Sequence, residues 1–331
     1  MNRWQNQAMY RRAVALATAL ALAVTAAGCT NDSPPASARP APASPAPSVP
    51  PTATATPPPA KKAPLDSYAV GVRTLRLNRG GDRPLPVTLW YPAIGGAGGE
   101  PRDGATPADD RFPVVVFSHG LGGRPADYAP LLAYWTAAGF VVAAPTYPNT
   151  SRGARLDPLD VLNQPSDASY VLTQVLALDA TAGDPLRGRL DTQRVGAAGH
   201  SAGGITTVGL FTVARDERLR AGIVLAGSSL GVGLSYTGPA APMLFVHGQK
   251  DQTVSYAAGK AAYDAVPWPK AMLSLPNGGH LAGPGDAALG VIANATTNFL
   301  RWSLYGDPAG RRRMASNAKT GGLAVLDDKL S

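Results

Sequence analysis

The chain has 331 residues, of which 45% are hydrophobic and 16% charged, with 37 glycines, 32 prolines, one cysteine and a formal charge of +8. A lone cysteine excludes a disulfide within one molecule. The basic excess is mild and no run of cations alternates with aromatics. Nucleic acid is therefore excluded as a partner, and the short cluster from Arg311 to Arg313 reads as a solvated helix face.

Taken in chain order, the first 28 residues read as an export signal. Arg3, Arg11 and Arg12 form a basic start, and residues 13–27 are small or apolar apart from two threonines. That run is too short and too rich in alanine to span a bilayer, which takes about 20 apolar residues. It ends in "TAAGC", with Gly28 before Cys29. This resembles the lipobox of bacterial lipoproteins, with Ala26 where leucine is commoner. The resemblance implies cleavage before Cys29 and lipidation of its thiol, and stable anchoring needs more than one acyl chain. The first 28 residues carry three arginines and no acid, so the mature chain keeps about +5 of the +8. Residues 29–64 combine the cysteine with a tether dominated by Pro, Ala, Ser and Thr, which cannot bury a core. Where polyproline-like, the tether advances about 3.1 Å per residue, a reach of at most roughly 100 Å. The expected location is the outer face of the bacterial cytoplasmic membrane, or secretion if the signal is of the ordinary cleaved kind.

Residues 65–331 suit one catalytic domain with a C-terminal tail. Strand-like runs cover residues 69–77, 86–91, 114–118, 140–145, 195–198, 221–226, 243–247 and 271–275. Helix-like runs cover 128–138, 166–180, 202–214, 256–266 and 287–304, and residues 95–110 read as a loop. Strands such as "VVVF" and "MLFV" are apolar throughout, as in strands covered by helices on both faces. No helix pattern separates the first two strands. The expected fold class is therefore α/β, a mostly parallel doubly wound sheet with an antiparallel N-terminal start.

The chemistry-bearing motif is "GHSAGG", where Gly199, Ser201 and Gly203 fit G-x-S-x-G between an apolar strand and a helix. A serine on such a tight turn is strained, and its neighbours two positions away must lack a Cβ for the turn to close. Its hydroxyl then stands at a helix N-terminus, where free N–H groups suit a developing oxyanion. A serine hydroxyl needs a base to take its proton. The four histidines are His119, His200, His247 and His280. The strand–turn–helix elbow orders its partners as serine, acid, histidine along the chain, and only His280 follows both the serine and a plausible acid. Asp251 lies just past the strand of residues 243–247, where a carboxylate can orient an imidazole. Asp264 falls within a helix pattern and Asp286 follows the histidine. His119 and His247 read as structural, through ring-to-backbone bonds at strand ends. The catalytic set is thus Ser201, Asp251 and His280. In "HGLGG" the glycines let the backbone turn its N–H groups inward, so the N–H groups of Leu121 and Ala202 form the expected oxyanion pair.

On these residues, positions 68–305 resemble the α/β-hydrolase superfamily. "LPVTLWYPA", "PVVVFSHGLGG", "AAGFVVAAP" and "GHSAGG" are similar to the group of dienelactone hydrolases, platelet-activating-factor acetylhydrolases and bacterial cutinases. The acetylhydrolases place their acid after the strand that follows the nucleophile helix. Here that stretch is "IVLAGSSLG", without an acid, so Asp251 carries the role, as in the other two families. The tryptophan that polyester-cleaving cutinases carry near this stretch is missing. The resemblance implies a serine esterase acting through an acyl-enzyme on a small-molecule or lipid ester, and because no cluster has metal-ligand spacing, no metal or cofactor is expected. The expected form is a monomer, attached to the membrane through the N-terminal lipid that the lipobox resemblance implies. Two alternatives stand beside it: an envelope acyltransferase using the same triad, and a non-catalytic surface-binding lipoprotein. The segment from Thr146 to Asp167 is placed to cover the site and shape acyl specificity.

Overall fold

The computed structural model describes residues 62–280 and 287–330. The signal peptide, Cys29 and nearly all of the tether lie outside the described residues.

The chain builds a ten-stranded sheet in the order β10-β9-β8-β7-β6-β4-β5-β2-β1-β3. Its middle is parallel: β4 (Phe112–Ser118), β5 (Val141–Pro145), β6 (Leu190–His200), β7 (Leu219–Leu225), β8 (Met243–Gly248) and β9 (Lys270–Leu275). Every residue of β4, β5 and β8 is buried, which explains their unbroken apolar sequences. β1 (Ala69–Asn78) and β2 (Pro84–Ala93) form the antiparallel start, and β2 pairs antiparallel with β5. The doubly wound architecture with an antiparallel beginning is as the sequence indicates.

Two apolar layers cover the sheet. One packs α2 (Gln164–Ala177), α3 (Ala202–Gly209) and α4 (Tyr256–Ala265) against one face through Val171, Leu172, Val208, Ala262 and Tyr263. The other packs α1 (Ala129–Ala137) and α5 (Ala287–Tyr305) through Leu132, Trp135, Phe299 and Leu300. The indole of Trp135 donates to the Thr296 hydroxyl at 2.9 Å, so the buried indole N–H is paired where the two helices meet. Among the described residues no helix is long and apolar enough to cross a membrane.

Three features differ from the sequence reading. The expected loop of residues 95–110 contributes a short strand, β3 (Arg102–Asp103), alongside β1. The helix expected over 202–214 ends at Gly209, and Phe211 turns into the core. The expected C-terminal tail folds as α6 (Pro308–Ala318) and β10 (Val325–Lys329), which closes the sheet edge antiparallel to β9. The arginine cluster belongs to α6: Arg311 pairs with Asp328, and Arg313 with Asp307.

Candidate active site

The site is assembled where β4, β6, β8 and β9 end. β6 runs straight into the elbow. Ser201 has φ 57° and ψ −119°, a conformation rare for a residue with a side chain. The strain is held from both sides. The Ser201 N–H donates to the Leu225 carbonyl at 2.9 Å, and the Ser201 carbonyl accepts from the N–H groups of Gly204 and Ile205, starting α3. The flanking glycines are a steric necessity. A Cβ on Gly199 would stand 2.1 Å from the Gly203 carbonyl oxygen, and one on Gly203 would stand 1.9 Å from that of Ser118. Both distances are far inside contact range, so an alanine at either position would force the turn open.

Asp251 and His280 come from adjacent strand ends. The loops after β8 and β9 are stapled by Gln249 N–H to the Leu275 carbonyl and Lys250 N–H to the Gly278 carbonyl, both at 2.9 Å. They are also packed backbone to backbone at Gly248 and Gly279. His280 Nδ1 donates to Asp251 Oδ2 at 2.7 Å. The carboxylate divides its work: Oδ1 accepts the N–H groups of Thr253 and Val254 and fixes its own turn, leaving Oδ2 for the imidazole. His247 Nε2 lies 3.3 Å from that same oxygen while donating to the Val254 carbonyl at 2.9 Å. Burial opposes ionisation of Asp251. Hydrogen bonds from His247 and His280, together with the charge of His280, outweigh it and hold the carboxyl well below the usual carboxylate range.

His280 is also brought to the elbow. Its ring lies 4.7 Å from that of His200, centroid to centroid, and its carbonyl accepts from His200 Nε2 at 3.1 Å. That bond places the His200 proton on Nε2, so Nδ1 accepts from the Tyr128 hydroxyl at 2.8 Å. The Tyr128 oxygen in turn accepts the Gly120 N–H at 3.0 Å. One chain of bonds therefore links the loop after β4, the residue preceding Ser201 and the backbone of His280. Burial, with the neighbouring charge of His280, lowers the pKa of His200 to about 3, so its ring stays neutral.

The loop after β4 lies directly against the elbow: a Cβ on Gly120 would be 3.2 Å from that of Ser201. His119 is structural here. Its Nδ1 bonds the Gly120 carbonyl at 2.8 Å and its Nε2 accepts the Tyr147 N–H at 3.2 Å. Burial lowers its pKa, in keeping with a neutral ring. The N–H groups of Leu121 and Ala202 have no acceptor among the described residues, whereas Gly122 N–H donates to the Thr150 carbonyl at 2.7 Å and Gly123 N–H to that of Gly120.

The segment of residues 146–167 is pinned at both ends. From the β1–β2 turn, Arg83 forks onto Asp160 and Asp167, and Arg79 reaches Asp167 at 2.9 Å. Both carboxylates are buried. Tyr128, His200 and Gln164 were not singled out from sequence. His200 stands out only by its place inside the elbow, while Tyr128 follows Asp127 and Gln164 lies among Asn163, Ser166 and Asp167, so nothing local marks either. Among the described residues no group of three or more His, Cys, Asp or Glu is placed to hold a metal ion.

Comparison with known proteins agrees with this architecture. A family profile described as platelet-activating factor acetylhydrolase, isoform II, matches residues 102–156, which include β4, the "HGLGG" loop and β5 but stop short of Ser201. Platelet-activating factor acetylhydrolase of Cavia porcellus is 26% identical over 156 residues, spanning 35% of each chain. An uncharacterized protein of Escherichia coli O157:H7, YfhR, is 21% identical over 215 residues, covering 59% of this chain and 72% of that one. Among solved structures, a ferulic acid esterase from Streptomyces cinnamoneus superposes with a TM-score of 0.57 at 23% identity, over 75% of this chain and 93% of its own. Together with the strand order and the elbow between β6 and α3, these likenesses show an α/β-hydrolase fold.

Proposed function

We propose that the protein is a serine hydrolase that cleaves carboxylic esters through an acyl-enzyme. The observation that carries this reading is the 2.7 Å contact between His280 Nδ1 and a buried Asp251, set beside the strained elbow of Ser201. Asp251 fixes the tautomer of His280, which leaves Nε2 free to accept a proton. The Ser201 hydroxyl gives its proton to that nitrogen as Oγ bonds to the substrate carbonyl carbon. The carbonyl oxygen takes up the negative charge and is met by the N–H groups of Leu121 and Ala202. Collapse expels the alcohol, which leaves with the proton from His280. Water then gives a proton to His280 as its oxygen attacks the acyl carbon; the bond to Oγ breaks, His280 returns the proton to Ser201, and the acid is released. The acetylhydrolase and esterase named among the similar proteins support an ester as the substrate.

The test is a chain-length series of p-nitrophenyl esters with the full-length protein in detergent. Hydrolysis should be accompanied by labelling with a fluorophosphonate probe, and Ser201→Ala should abolish labelling and lower turnover roughly a million-fold, by analogy with the triad serine of subtilisin. A loss of only a few-fold would remove Ser201 from the nucleophile role. Faster product formation on adding alcohols, with the acyl group recovered on the alcohol, would shift the assignment to an acyltransferase.

The same reading places the enzyme on the outer face of the cytoplasmic membrane through Cys29, on the strength of the "TAAGC" motif and the tether. Membrane-fraction activity should move to the soluble fraction in Cys29→Ser. Unchanged partitioning would overturn the anchor.

A further inference from the structure

We propose that Gln164 is a positioning residue that sets the distance between the two halves of the oxyanion site, an assignment that rests on the esterase reading above. Three polar side chains, all almost wholly excluded from solvent, run in series between the nucleophile helix and the loop after β4. The Thr206 hydroxyl, one turn into α3, donates to Gln164 Oε1 at 2.6 Å. Gln164 Nε2 donates to the Thr150 hydroxyl oxygen at 2.6 Å. The Thr150 carbonyl accepts the Gly122 N–H at 2.7 Å. A backbone bridge between Gly123 and Ser151, and Arg152 N–H donating to the Gly123 carbonyl, continue the contact.

This series joins the two elements that carry Leu121 and Ala202, whose N–H groups have no acceptor among the described residues. Ala202 begins α3, and its carbonyl also accepts from Thr206 at 3.2 Å. Leu121 immediately precedes Gly122, whose own N–H is committed to Thr150. Two backbone donors from separate loops act together only if their spacing matches the oxyanion, and a displacement of about 1 Å costs on the order of a hundredfold in rate. A glutamine side chain with both amide ends satisfied and no room to move is a fixed-length strut. The 146–167 segment thus acts as a rigid brace for the oxyanion loop, anchored at its far end by Arg83, Asp160 and Asp167.

The experiment compares Gln164→Met, Thr150→Val and Thr150→Ser with the parent on a p-nitrophenyl ester. Affinity for an arylboronic acid, a mimic of the tetrahedral species, is measured on each, together with thermal unfolding. Gln164→Met and Thr150→Val should lower kcat roughly 10- to 100-fold with KM changed less than about threefold. Boronate affinity should weaken in proportion to kcat, and Thr150→Ser, which keeps the hydroxyl, should stay within about threefold of the parent. If variants folded at the assay temperature keep parental kcat and boronate affinity, the strut is overturned. Thr150→Ser losing as much as Thr150→Val also overturns it, because packing rather than the hydroxyl would then be the cause. Should Gln164→Met fail to fold, the Thr150 pair decides alone. Failure of the esterase reading is separate, because it appears in the parent and in Ser201→Ala.

Discussion

The two sides of Ser201 are held in different ways. On the oxyanion side, the loop after β4 is joined to the nucleophile helix by neutral side chains bonded in series, from Thr206 through Gln164 to Thr150. On the histidine side, one ionised carboxylate faces His280, and a neutral ring, His200, fixes its backbone carbonyl. In the proposed ester hydrolysis, the difference follows from what each side must do. Oxyanion donors meet a charge that develops on the substrate and need only stay where they are. His280 becomes charged and neutral again in each turnover, so it needs a partner that favours its cationic form while its backbone remains still. A carboxylate kept ionised by two histidines and two backbone N–H groups meets the first need, and the His200 contact meets the second.

Of the two sides, the charged one should give the larger effect when broken. In Asp251→Asn the amide oxygen can still accept the N–H groups of Thr253 and Val254, but the negative charge is gone and the tautomer of His280 is no longer dictated. Turnover should fall about ten-thousandfold at neutral pH, with KM little altered, as for loss of a triad aspartate elsewhere. Steady-state kinetics on the ester that the parent cleaves best is the measurement. A drop below tenfold would mean that Asp251 holds a loop and that the acid lies elsewhere.

Most of the scaffold was legible in the sequence because burial on both faces writes itself as unbroken apolar runs, as in β4 and β8. The elbow was legible because its glycines are demanded by contacts under 2.2 Å. Chain order and strand ends then pointed to Asp251 and His280, which the structure brings together. What escaped notice has a common cause. β10 alternates partly exposed and exposed residues around two aspartates, a charged edge strand without an apolar signature. α6 carries three arginines and buries only Gly310, Met314 and Ala318. Gln164, Tyr128 and His200 owe their roles to partners 14 to 80 positions away, and a single sequence does not encode those pairings locally. The 146–167 segment read as a candidate cover because nothing in its own sequence announces that Arg83, in the β1–β2 turn, meets Asp160 and Asp167.

A smaller effect sharpens the contrast by testing the neutral ring itself. His200 has a folded pKa of about 3, against about 6.5 for an unconstrained histidine, because it is buried and faces the charge of His280. Between those two values the unfolded chain binds a proton that the folded chain refuses, so stability must fall as pH is lowered through this window. From pH 6.5 or above down to pH 4.5 the single group contributes a loss of roughly 2–3 kcal/mol. Burial gives His119 a lowered pKa too, adding a term of the same sign that a change at residue 200 leaves in place. In His200→Gln the amide oxygen can still accept from Tyr128 and the amide nitrogen can still donate to the His280 carbonyl, so the geometry has a route to survive. Denaturant unfolding of parent and variant across pH 4.5–7 should therefore show the variant losing less stability on acidification, by about that amount. Activity near pH 7 should change far less than in Asp251→Asn. Parallel stability curves would mean that the ring at position 200 takes up its proton in the folded state. The histidine side would then be held by a titrating contact, and the contrast with the oxyanion side would become one of charge against neutrality throughout.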